Sequence, residues 1–281
     1  MTLLTVSTVK GAPGGSTIAL LLAGAVTAAA TDGRRCILAE CDLSGGDLAP
    51  RLGLPGVPGV ASLALAARHG LTVEILLAHT QSPAMTPQLN VLPGIAGPEQ
   101  GMALGWILGE LARVLADPSV VAIADLGRLR IDRDSNEELR SIAKANVLVT
   151  NDDVASLLHA KAAVESARAS GTTLGIVLAG ERRRRVSHVS QATGAEVVGA
   201  VRYDPDALSR LLDQGRAARR GLRIPRRSSG LFSDAAAIVS KLTGSEVIAD
   251  PCTVRAAAGE GASSVRSNVL GRLRRRAVLI G

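Results

Sequence analysis

Seven short apolar segments, rich in Val, Ile, Leu and Ala, recur along the chain, and most are separated by stretches long enough for a helix. They fall at 3–8, 35–41, 88–92, 120–126, 145–150, 174–178 and 196–201. Buried strands that alternate with helices predict one doubly wound, mainly parallel α/β sheet of about seven strands, with helices on both faces. Only Trp106, Tyr203 and Phe232 are aromatic among 281 residues, although 47% are hydrophobic. Small aliphatic side chains must therefore fill the core, as suits parallel strands covered on both sides. Helices are expected near 16–30, 47–52, 60–69, 99–116, 136–144, 153–170, 186–193, 204–215 and 230–242, with Asn151 or Asp152 capping the one at 153–170. The pattern breaks down from about residue 244. There an Ala-, Gly- and Ser-rich stretch, 255–267, reads as a flexible linker to a basic-apolar terminus, 268–281. The expected division is one domain over 1–243 and a tail over 244–281.

Charge is regional. Residues 181–227 hold twelve Arg against five acids, and 252–281 hold six Arg against one, within a net charge of +7. Arginine-rich segments meet phosphates of nucleic acid or lipid, or form solvated surface. A stacking platform for single-stranded nucleic acid is excluded by the scarcity of rings. His69, His79, His159 and His188 show no metal-ligand spacing, and Ser16 lacks the G-x-S-x-G setting of a hydrolase nucleophile. Cys36, Cys41 and Cys252 form no CxxC pair and read as reduced core thiols of a cytoplasmic protein. No basic-then-apolar leader opens the chain, and no stretch reaches the length of a membrane span.

One turn carries chemistry. Between the first strand and the first helix the chain reads Lys10-Gly11-Ala12-Pro13-Gly14-Gly15-Ser16-Thr17. A glycine-rich turn opening a helix presents inward-facing amides and the positive end of the helix dipole, which together cradle phosphate. The usual P-loop, G-x-x-x-x-G-K-[ST], places a lysine before its hydroxyl. Here that position is Gly15. The bland alternative is a tight strand-to-helix turn with no ligand.

The segment resembles the deviant phosphate loop of the ParA/MinD family, K-G-G-x-G-K-[ST]-[ST]. Lys10 matches the signature lysine, Gly11 and Gly14 match two glycines, and Ser16 and Thr17 match the hydroxyl pair. Ala12 replaces one glycine, and Gly15 replaces the inner lysine. Later landmarks occur in order. Glu40-Cys41-Asp42 resembles the strand end D-x-D, the strand closing on Asp125 resembles the one that supports magnesium, and Gly199–Asp204 resembles G-x-[IV]-P-x-D with Arg202 for proline. Actinobacterial relatives with a K-G-[SA]-P-G-x-[ST]-T loop are more similar still, and the TadZ/CpaE localisation proteins form a related branch.

The resemblance implies a P-loop NTPase-like fold and ATP or ADP with Mg bound through Lys10, Gly11, Gly14, Gly15, Ser16 and Thr17. It implies Ser16 and Asp125 for the metal and Asp42 for positioning water. It also implies a homodimer that organises cargo in chromosome partitioning or in pilus and secretion assembly. Asp42 and Asp125 could instead cap neighbouring helices, and Glu40 reads as structural. Loss of one catalytic donor raises a barrier by about 2.7–4 kcal/mol, so hydrolysis is expected to be weak or absent. The base-reading asparagine of the family is missing, since Ala179-Gly180 stands in its place. The alternative is a nucleotide-free pseudo-ATPase acting as a scaffold. Arg182, Arg183, Arg184 and Arg185 could touch DNA phosphates, an acidic partner or nothing. The 268–281 tail is a weak echo of the amphipathic membrane helix of MinD, which would make the protein peripheral at membrane or nucleoid.

Overall fold

The computed structural model describes residues 3–10, 12, 14–30, 33–83, 86–129, 136–180, 184–209 and 229–244. Seven strands are present: β1 (Leu3–Thr8), β2 (Arg35–Glu40), β3 (Leu89–Leu92), β4 (Val120–Arg128), β5 (Ala145–Thr150), β6 (Leu174–Ala179) and β7 (Val197–Val201). Every strand pair is parallel, and the order is β3-β2-β4-β1-β5-β6-β7. The fold class expected from the segment pattern is thus observed.

Side-chain alternation along β1 divides the core. Leu4 and Val6 face the layer that holds α1 (Gly15–Ala29) and the final helix, here α10 (Ser229–Thr243). Leu3 faces the layer of α3 (Val60–Ala66) and α6 (Leu108–Leu115). On β5, Leu148 turns toward α8 (Val154–Ala169), which also covers Ile176 and Leu178 of β6. The α1 helix is buried almost from end to end, and burying Ile18, Leu21 and Leu22 contributes about 1.5–3 kcal/mol each. It is therefore fixed on the sheet, which fixes the direction of its first turn.

Remaining helices are α2 (Leu48–Leu52), α4 (Val73–Ala78), α5 (Pro98–Leu104), α7 (Glu137–Ile142) and α9 (Val186–Thr193). A helical turn spans 205–209, started by the Asp204 carboxylate, which accepts the Ala207 amide at 2.8 Å. Arg202 grips Asp234 through Nε and Nη2, each at 2.8 Å, and so ties the end of β7 to α10.

Four expectations need correction. The single helix expected over 99–116 is α5, a 3₁₀ turn at Gly105–Ile107 and then α6. Glycine in a helix interior weakens it, and at Gly105 the α-helix gives way to a 3₁₀ turn. α4 went unpredicted because it has only six residues, although Thr72 caps it by accepting the Ile75 amide. The cap of α8 is Asp153, which accepts the Ser156 amide at 2.9 Å, rather than Asn151 or Asp152. Lastly, β4 does not end at Asp125 but runs on to Arg128, through a register shift opposite Val6–Thr8. The stretch 245–281, which includes the 268–281 tail, lies outside the described residues.

Candidate functional site

In an open parallel sheet, ligands settle beyond the C-terminal ends of the strands, where the strand order reverses. β1 stands at such a place, between β4 and β5. Beyond it, the Val9 amide donates to Val149 O and the Ala12 amide folds back on Val9 O, leaving Lys10 exposed at the turn. Gly14 is the N-cap of α1 in the left-handed region, at φ 93°. No side chain caps this helix, and its first turn holds no acid. Its leading amides thus have no side-chain cap, and with the positive end of the helix dipole they suit phosphate. Ser16 is half-buried there, and Thr17 is buried. Gly11 and Pro13 lie outside the described residues.

At position 15 there is no room for a side chain. A Cβ there would lie 2.2 Å from Thr8 Cγ2, and 3.6 Å from Thr8 Cβ. The threonine methyl occupies the space that an inner lysine would need. Thr8 is stiff at χ1, as β-branched residues are, so the methyl cannot easily give way. Gly15 and the Thr8 methyl are two sides of one packing arrangement.

Three carboxylates gather at the ends of β2 and β4. Glu40 is 3% exposed and fully engaged: Oε1 accepts the Asp47 and Leu48 amides at 2.7 and 2.9 Å, and Oε2 accepts the Gly94 amide at 2.9 Å. Burial raises its pKa against those three bonds. Glu40 is a structural brace, as its sequence setting suggested. Asp42 accepts the Ser44 amide at 2.8 Å and packs against the Cα of Gly127. Gly127 has φ 64°, and a Cβ there would fall 2.0 Å from Asp42 Oδ2, so glycine is required on both counts.

Asp125 pairs in register with Glu40 and is 1% exposed. Its Oδ1 accepts the Gly127 amide at 3.0 Å, while Oδ2 is buried with no hydrogen-bond partner. Burial pushes its pKa up to about 6; the Ser16 hydroxyl and the Gly127 amide oppose the rise, and Glu40 and Asp42 add to it. An orphaned, buried carboxylate oxygen costs stability. Its nearness to Ser16 and to the α1 N-terminus fits a divalent cation beside a phosphate, held by Asp125 and Ser16. Among the described residues no cluster of three or more His, Cys, Asp or Glu could hold a metal.

Sequence reasoning missed three contributors. Thr8 and Gly127 act through contacts whose only signals were a β-branched strand end and a glycine two residues past an acid. The third, Arg51 in α2, has Nη1 3.4 Å from Thr17 Oγ1 and an ion pair with Asp47, and no motif announced it. Other expected residues do not join the site. Ala179–Gly180 closes β6 toward β7, the Gly180 amide donating to Val201 O. Arg184 is turned onto Asp152 by its amide and Nε, and Arg185 stands at the N-cap position of α9 without a side-chain cap bond; Arg182 and Arg183 lie outside the described residues. Cys36 and Cys41 are buried and not joined in a disulfide, and burial pushes the Cys41 thiol up. His79 Nδ1 is bound to Ser62 Oγ at 2.8 Å. No helix among the described residues is long and apolar enough to cross a membrane.

Two outcomes test this geometry. With a folded pKa of about 6 against an ordinary 3.8, Asp125 holds its proton longer in the folded chain than in the unfolded one. Its contribution to stability is thus present at low pH and lost as pH rises from about 4 to about 6, by roughly 2–3 kcal/mol. Urea unfolding of wild type and Asp125→Asn, without divalent cations, should show the variant gaining on wild type between pH 4.5 and 7.5; parallel curves would contradict the burial assigned to Asp125. For the packing at position 15, Gly15→Lys alone should cost about 1–3 kcal/mol. In a Thr8→Ala background the nearest clash is removed, and most of that cost should vanish. Additive effects in the double-mutant cycle would show that Thr8 is not the obstacle.

Neither a protein-family model nor a sequence among curated proteins matches the chain. Solved structures do. A ParA family ATPase from Chlorobium tepidum TLS is 21% identical, with TM-score 0.68 over 83% of this chain and 97% of that one. The MinD cell division protein of Aquifex aeolicus is 14% identical, with TM-score 0.62 over 88% and 99%. The septum site-determining protein MinD of Pyrococcus horikoshii OT3, complexed with Mg-ADP, is 16% identical, with TM-score 0.59 over 85% and 95%. At such identities the likeness is one of architecture. The chain carries the fold of the ParA and MinD ATPases.

Proposed function

We propose that this protein is a nucleotide-responsive spatial organiser of the ParA/MinD type, which binds ATP or ADP with magnesium and hydrolyses it weakly or not at all. The observation that carries this reading is the uncapped first turn of α1 beside the orphaned Asp125 Oδ2. A protein relieves such a pair most simply by binding an anion and a cation together. The Mg-ADP complex of the Pyrococcus horikoshii MinD supports the choice of ligand.

In this reading the amides at the head of α1 hold phosphate, with Gly11, Gly14 and Gly15 leaving the backbone open. Ser16 and Asp125 hold the metal, and Thr17 offers a second hydroxyl to phosphate. Magnesium there would neutralise phosphate charge that the absent inner lysine does not. Exposed Lys10 would reach a partner's nucleotide in a homodimer. Asp42, kept rigid by the Ser44 amide and Gly127, would orient water. Missing a cation at position 15, the loop lacks a donor that stabilises transition-state charge, so turnover is slow.

The output is assembly with cargo in chromosome partitioning or in pilus or secretion machinery. Val154 and Leu158, one turn apart at the start of α8, are 60% and 64% exposed, and Tyr203, just past β7, is 69% exposed. All three follow C-terminal strand ends, on the same side of the sheet as the loop, which supports a protein partner there. Arg185 and its neighbours provide a candidate contact for DNA, and 268–281 one for an anionic membrane surface.

A second reading, a nucleotide-free scaffold, is favoured by the Thr8–Gly15 packing alone. Isothermal titration with Mg-ATP and Mg-ADP separates the two. Saturable heat that Lys10→Ala or Ser16→Ala weakens supports the organiser, with phosphate release far below the ~1 per second at the slow end of ordinary enzymes. No heat at millimolar nucleotide would leave the scaffold.

A further inference from the structure

The loop has lost a cation at position 15, yet one stands close by in a different element. Arg51 lies in the last turn of α2 and extends Nη1 to 3.4 Å from Thr17 Oγ1, across 34 residues of sequence. Thr17 is the third residue of α1, within the turn whose amides no side chain caps. The guanidinium is held on its other side by Asp47, one helical turn earlier. Its side chain remains 38% exposed, so a ligand at the loop can reach it.

The placement of Arg51 is built rather than incidental. Glu40 accepts the amides of Asp47 and Leu48, pinning the start of α2 to the end of β2. Leu48 and Leu52 pack into the same apolar layer as α1. A short helix anchored at its head and on its apolar face has little freedom to swing its last turn away. Meanwhile Thr8 denies position 15 a side chain of its own.

We infer that Arg51 supplies, from α2, the phosphate-binding positive charge that the loop does not provide at position 15. The planar guanidinium presents several donors in a fixed fork and meets phosphate oxygens bidentately, which a lysine cannot do. In this structure the same donors rest on Asp47 and Thr17. Arriving phosphate competes for them at the mouth of the cradle, and the Asp125–Ser16 pair marks the cation side of the same site. This inference deepens the nucleotide-binding reading and rests on it.

Isothermal titration with Mg-ADP and Mg-ATP tests it on the full chain. The variants are Arg51→Ala, Arg51→Gln and, as a control, Arg113→Ala, which removes an arginine paired with Glu138. Removal of a charge-assisted bond should weaken binding by about tenfold to a hundredfold in Arg51→Ala, and the control should match wild type. Wild-type binding with unchanged affinity in Arg51→Ala would overturn the inference and leave nucleotide binding intact. No wild-type binding at all would overturn both. If Arg51→Ala fails to fold, Arg51→Gln, which keeps a hydrogen-bonding amide without charge, carries the same two outcomes.

Discussion

β1 is hydrogen-bonded along both edges, to β4 and to β5, so the chain leaving it has one way out: past the end of the sheet and into α1. Because α1 is buried nearly throughout, its axis is fixed, and the turn between the two elements has no freedom to face elsewhere. That handover sets the positive end of the α1 dipole, without a side-chain cap, at the reversal of strand order. Everything proposed for this site depends on it.

Around the handover, residues divide into those that hold the frame and those left unsatisfied. Glu40 is saturated by three amides, and Gly127 admits Asp42 against its backbone. Asp125 is not saturated: one of its oxygens is buried without a partner, in a site crowded by like charge. Folded proteins leave few buried polar atoms without a partner. In the proposed reading, the uncapped head of α1 takes negative charge and the Asp125 oxygen takes positive charge. The Thr8 methyl fills the space that a side chain at position 15 would need.

Much of the fold was legible because parallel strands announce themselves as short β-branched and aliphatic runs. Val120 to Ala124 and Ala145 to Thr150 need no tertiary knowledge to read. Where local signals were weak or competing, reading failed: six-residue α4, the interruption at Gly105, and three consecutive cap candidates from Asn151 to Asp153 before α8. The candidate site was legible where it is continuous, from Lys10 to Thr17, and where an acid sits near a strand end, as at Asp42 and Asp125. Thr8 opposite Gly15, the bulge at Gly127 and Arg51 beside Thr17 were not. Those depend on distances between elements, and a single sequence carries no record of them.

The most direct test is a crystal structure of the protein grown with Mg-ADP. Phosphate oxygens should lie against the amides at the head of α1, with the metal between Ser16 and Asp125 Oδ2 and the Arg51 fork turned from Asp47 toward phosphate. A crystal at saturating Mg-ADP in which the first turn of α1 faces only water, or in which nucleotide sits elsewhere, would contradict the account.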